Sequence, residues 1–104
     1  QAVFIPSAVP VGYEYLLKLR TRARAQDNQF FVVAVNRVGR EREVSYCGRS
    51  LAANPKGEVI AEASPKKEEV LTVELDLAHI AREREQEPVL SNLRPELYRF
   101  INER

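Results

Sequence analysis

A chain of 104 residues, 44% hydrophobic and 30% charged, can fold as one domain with a modest core and is neither a disordered tail nor a membrane span. Its net charge of +1 is too small for long-range attraction to argue for a nucleic-acid or membrane partner. One cysteine, Cys47, excludes an internal disulfide framework and a multi-cysteine metal site, and fits a reducing, cytoplasmic setting.

In chain order, Ala2 to Ile5 reads as a short buried strand ended by Pro6. The loop from Pro6 to Gly12 carries two prolines and a glycine and no charge, so it is a candidate pocket wall, because ligands of open α/β sheets sit at the carboxyl ends of the strands. From Tyr13 to Asn28, Tyr13, Leu16, Leu17, Leu19 and Ala23 recur at helical spacing and are expected to face the core. Lys18, Arg20, Arg22 and Arg24 between them suit a solvated or interface face better than a phosphate site.

No Gly or Pro separates this helix from the apolar run Phe30 to Val35, so helix and strand are joined by a very short connection. The run predicts a central strand, Phe30 to Asn36, buried on both faces. A helical crossover makes it parallel to the first strand, which brings Asn36 to the same sheet edge as Ser7 and Ala8. The candidate pocket wall is therefore Ser7, Ala8, Val9, Tyr13 and Asn36.

The charged stretch Arg37 to Glu43 is expected to be an exposed loop. Val44 to Ala53 reads as a strand, Asn54-Pro55-Lys56-Gly57 as a type I turn, and Glu58 to Ala63 as the returning arm of a hairpin. After Pro65 and the charged turn Lys66 to Glu69, Val70 to Leu75 reads as a third antiparallel strand. Asp76 is placed to cap a helix over Leu77 to Gln86, Pro88 ends it, and Pro95 opens a last short helix running through Ile101.

The residues alone give no catalytic set. Cys47 and His79 would make a nucleophile and base, but His79 sits in a charged helical segment and nothing activates Cys47, which reads as a small buried strand residue. His79 has no second ligand at a metal spacing, so no metal is expected. The carboxylate pairs Glu41/Glu43, Glu68/Glu69 and Glu83/Glu85 all fall in exposed charge runs. No glycine loop cradles a phosphate, and Gly48-Arg49-Ser50 is not a nucleophile elbow.

The order Arg24-Ala25-Gln26-Asp27-Asn28, apolar strand, Asn36-Arg37-Val38-Gly39, Gly48-Arg49-Ser50-Leu51, Asn54-Pro55-Lys56-Gly57-Glu58-Val59 and Arg94-Pro95-Glu96-Leu97-Tyr98 resembles the C-terminal part of the nitrilase superfamily, the carbon-nitrogen hydrolases. Phe4-Ile5-Pro6-Ser7-Ala8 is similar to the strand and loop after that family's nucleophile region. Departures are Asp27, where Glu is usual, and Asn54, where Asp is frequent.

The resemblance implies an α/β fold, part of a four-layer αββα sandwich with a mixed sheet and flanking helices, residues 1–104 being the C-terminal portion of a single hydrolase domain. It implies hydrolysis of nonpeptide C–N bonds in small-molecule amides, nitriles or carbamoyl compounds by a Glu base, a Lys and a Cys nucleophile, all upstream of Gln1, with no cofactor. No catalytic residue is then expected within the chain, and Cys47 does not correspond to the nucleophile. Expected partners are the missing N-terminal portion of the same protein and further copies in a homodimer or higher homo-oligomer. The sequence contains no methionine, which suits a piece of a longer polypeptide. The alternative is a noncatalytic binding or oligomerisation module that keeps the scaffold without the triad.

Overall fold

In a computed structural model that describes residues 1–99, strand β1 (Ala2–Ser7) leads through a loop to helix α1 (Glu14–Asn28) and back to strand β2 (Phe31–Asn36). β1 and β2 pair in parallel from Ala2 against Phe31 to Ser7 against Asn36, which is the crossover expected of a strand–helix–strand unit. Pro6 does not end β1. This strand lies at the edge of its sheet, where a residue lacking an N–H is tolerated.

The connection from α1 to β2 is as short as the sequence requires. Gln29 closes α1 in the left-handed region at φ 52°, and Phe30 follows directly. β2 is central, but only its first half is buried on both faces. Phe31, Val32 and Ala34 are buried, whereas Val35 is 51% exposed. Val32 and Ala34 meet Ala53 and Leu51 in antiparallel register, and this face packs under α1.

The core stripe of α1 differs from the expected one. Leu17, Thr21 and Ala25 are buried at successive i, i+4 steps, while Tyr13 and Leu19 are 51% and 60% exposed and Ala23 is exposed. Small side chains at 21 and 25 let the helix lie close to the sheet, and the Thr21 hydroxyl is satisfied by donating to the Leu17 carbonyl at 2.7 Å.

The charged stretch 37–43 is exposed and, together with residues 44 and 45, folds into a small hairpin of β3 (Arg40–Glu41) and β4 (Val44–Ser45). The strand expected over Val44 to Ala53 is broken, because Gly48 and Arg49 both adopt positive φ, 61° and 57°, and turn the chain before β5 (Leu51–Ala53). The next turn forms as expected: Gly57 N–H donates to the Asn54 carbonyl at 2.8 Å, and Asn54 Oδ1 accepts the N–H groups of Lys56 and Glu58. It leads into β6 (Val59–Glu62), the second arm of the hairpin with β5, and the main sheet runs β1-β2-β5-β6.

Val70 to Leu75 is not a strand. Its alternation reflects contact with a sheet face and not ladder pairing: Leu71 and Val73 line one recess with Val33 and Val35, on the side of the sheet away from α1, and Val70 is 94% exposed. Helix α2 (Ala78–Gln86) begins one residue later than expected, with Leu77 at its N-cap; Asp76 Oδ1 still accepts the Ala78 N–H at 3.2 Å. Pro95–Leu97 forms a single 3-10 turn, and the rest of the expected last helix at Phe100 and Ile101 lies outside the described residues.

Candidate functional site

A recess of about 290 Å³ lies between α1 and the β1 edge of the sheet, beside the carboxyl end of β1. Ser7, Ala8, Val9 and Tyr13 all line it, so the structure brings four of the five expected wall residues together. Ile5 and Leu17 close its floor, and Arg20 and Arg24 stand at its helical side. Sequence reading missed the two arginines as a pair here. Their signal is the i, i+4 ladder of Leu16, Arg20 and Arg24, one residue out of step with the buried Leu17–Thr21–Ala25 stripe.

Asn36 is aligned with Ser7 at the strand ends but does not line this recess. It is buried, and its amide is engaged by the loops on either side of it. The basic residues of α1 are divided among different tasks: Lys18 pairs with Glu62 at 3.4 Å, and Arg22 Nε donates to the Gly57 carbonyl at 2.7 Å, pinning the 54–57 turn to the helix.

Cys47 is 2% exposed in the cluster with Leu17, Ala34 and Leu51. Burial first, and then the Glu14 carboxylate, push its thiol above the ordinary cysteine range, the reverse of an activated nucleophile. It lies in the turned segment before β5 and not in a strand. His79 belongs to the other end of β2, with its ring edge-on to Phe31 at 6.3 Å and its Nε2 3.7 Å from Glu83. Cys47 contacts Asn36, five residues along the strand from Phe31, so the two groups are separated by roughly 16 Å of strand at ~3.3 Å per residue. They do not form a dyad.

Among the described residues no group of three or more His, Cys, Asp or Glu is arranged to hold a metal. Glu41, Glu43, Glu68, Glu69 and Glu85 are exposed as expected, Glu41 held by Arg37 at 2.6 Å and Glu69 accepting the Ser64 N–H, which lowers its carboxyl below the ordinary range. Glu83, expected to be exposed, is instead buried, its carboxylate 3.7 Å from His79 Nε2. No described helix is long and apolar enough to cross a membrane.

A strand–helix–strand unit continued into an antiparallel hairpin is the fold this chain shares with solved carbon-nitrogen hydrolases. The solved carbon-nitrogen hydrolase of Helicobacter pylori G27 superposes with a TM-score of 0.88 at 26% identity, over 96% of this chain and 40% of that one. The "hydrolase in agr operon" of Staphylococcus lugdunensis is 38% identical over 94 residues, 90% of this chain and 38% of its own length. The 2-oxoglutaramate amidase of Bacillus subtilis is 40% identical over 76 residues, 73% of this chain and 29% of its own. The family model for carbon-nitrogen hydrolases matches residues 9–85, and the chain belongs to that family. It spans well under half the length of these relatives.

Proposed function

We propose that this chain is the C-terminal portion of a single carbon-nitrogen hydrolase domain that cleaves a small-molecule amide, nitrile or carbamoyl compound. In this reading a Glu, a Lys and a Cys from the stretch preceding Gln1 carry out the reaction. The thiol proton passes to the Glu base as the thiolate attacks the carbon of the C–N bond. The nitrogen takes a proton and leaves as ammonia or an amine, directly from an amide or carbamoyl compound and after uptake of one water from a nitrile. A further water hydrolyses the resulting thioester and restores the thiol. The chain supplies one helix and one sheet of the αββα sandwich, and its Ser7, Ala8, Val9, Tyr13 and Asn36 shape the substrate wall. The single observation that supports this most is the convergence of Ser7, Ala8, Val9 and Tyr13 on one recess beside the carboxyl end of β1. The exposed side chains of Tyr15 and Leu19 on α1, and of Leu93 and Leu97 in the tail, support a homodimer or higher homo-oligomer. The unpaired, buried Cys47 is compatible with the cytoplasm.

Expression of the polypeptide with its preceding stretch tests the reading directly. It should release ammonia from at least one compound in a panel of amides, nitriles and carbamoyl compounds, whereas residues 1–104 alone should not. Cys47→Ala should retain that activity, and loss of turnover in a folded Cys47→Ala enzyme would return the nucleophile to this chain. Mass spectrometry of the native protein gives a second check, since a stable, complete 104-residue product would favour a noncatalytic module.

A further inference from the structure

One buried side chain ties the end of β2 to two loops. Asn36 is 8% exposed. Its Oδ1 accepts the Val9 N–H at 2.8 Å, and its Nδ2 donates to the Gly48 carbonyl at 2.8 Å and the Val9 carbonyl at 3.3 Å, 3.2 Å from Cys47 Sγ. Ser50 closes the Asn36 backbone, accepting its N–H at 2.8 Å and donating back to its carbonyl at 3.3 Å. Cys47 N–H donates to the Val9 carbonyl at 2.9 Å, so the same corner holds the loop from both sides. Both polar atoms of the Asn36 side chain are engaged within the protein.

The loop so held is the one that lines the recess through Ala8, Val9 and Pro10. The nearest substitutes fail in different ways. A serine is too short to reach both Val9 and Gly48, a leucine leaves a buried N–H and a buried carbonyl unpaired, and an aspartate sets a charge against two carbonyl oxygens.

We propose that Asn36 is a positioning residue of the hydrolase: it fixes Ala8, Val9 and Pro10 as a rigid substrate wall without itself touching the substrate. The inference rests on the function proposed above. It makes Asn36 a determinant of substrate binding and leaves the chemical step to the triad.

Asn36→Asp in the full-length enzyme is the informative variant, because a protonated carboxyl keeps the two shortest bonds of the amide and gives up only its longer contacts. Its C=O accepts from Val9 and its O–H donates to Gly48, but the ionised form repels both carbonyls. The other groups bearing on this corner are the Cys47 thiol, Glu14 at the start of α1 and Arg49 before β5. Hydrogen exchange of a peptide covering residues 7–12 should be slowed about 100-fold in the parent relative to an unfolded chain. In Asn36→Asp it should match the parent near pH 5 and run about tenfold faster than the parent near pH 8. The ratio of variant to parent KM should rise about tenfold over the same interval, with kcat held within about threefold.

Asn36→Leu should exchange fast and bind weakly at every pH. A KM ratio flat with pH and parental exchange in both variants would overturn the proposal. So would fast exchange of residues 7–12 in the parent, whether or not the variants fold. A parent that hydrolyses nothing would defeat the proposed function, while the exchange data would still decide the clamp.

Discussion

Gly48 shows how a single residue sets the path of the chain. At φ +61° it occupies the left-handed region, and a Cβ built there would stand 2.4 Å from the Pro65 carbonyl oxygen, a backbone atom that cannot swing aside. Gly48→Ala should therefore lower the stability of the full-length protein by about 2–4 kcal/mol in urea denaturation. Gly39, at φ +87° with nothing within 4 Å of its Cβ position, carries only the backbone cost, and Gly39→Ala should lose about 1 kcal/mol. Equal losses at the two sites would mean that the Pro65 contact is not rigid. Cys47 adds a pH dependence. Its thiol is pushed above the ordinary value of 9.0 in the fold, so above about that pH the unfolded chain binds fewer protons than the folded one. The Cys47 contribution to stability is then fully present below the ordinary thiol value and is lost as pH rises through the raised folded value. The stability of the parent should fall more steeply than that of Cys47→Ala above about pH 9; parallel curves would contradict the burial of the thiol.

At the scale of elements, α2 is held to the start of β2 by Gln29. The side-chain amide donates to the carbonyls of Glu83 and Glu87 at 3.4 and 2.5 Å, serving the end of α2, while the Gln29 backbone closes α1 in the left-handed region. Gln29→Gly separates the two roles, because glycine suits that backbone but has no amide. Exchange of the α2 amides should accelerate about tenfold while those of α1 are unchanged, and an unaffected α2 would show that Ile80 and Glu83 packing suffices. Elements whose signal is local were legible in the sequence: the 54–57 turn has Asn, Pro and Gly where a type I turn needs them, and the α1-to-β2 junction had no breaker residue. Val70 to Leu75 was not legible, because alternation reports which side chains face an apolar surface and says nothing of whether a neighbouring backbone edge exists. The α1 stripe misled for a related reason, since Leu19 is apolar but covers no surface of this chain and Thr21 is polar but satisfied by its own helix. That Ser7, Ala8, Val9 and Tyr13 gather at one recess was legible from loop composition and crossover direction. The recess arginines and the Ser50 brace were not, because both depend on distances across the fold.

The whole molecule is wider than its length warrants. Its radius of gyration is 16.3 Å, with extents of 49 × 36 × 17 Å, against ~13 Å for a compact domain of this size. The sheet face away from α1 leaves Phe4 64% and Val35 51% exposed, on the side where the proposed sandwich would place a second sheet. The same side chains therefore have opposite effects in the two contexts. In the isolated chain they are a liability, so residues 1–104 should associate on size-exclusion chromatography with light scattering and bind a hydrophobic dye, and replacing both Phe4 and Val35 by Ser should shift the chain toward monomer. In the full-length enzyme, where both would be core residues, the double substitution should cost about 3–6 kcal/mol and abolish soluble, active protein. A full-length enzyme indifferent to the double substitution would show that this face meets water and not a second layer, and the sandwich would have to be closed by another surface of the chain.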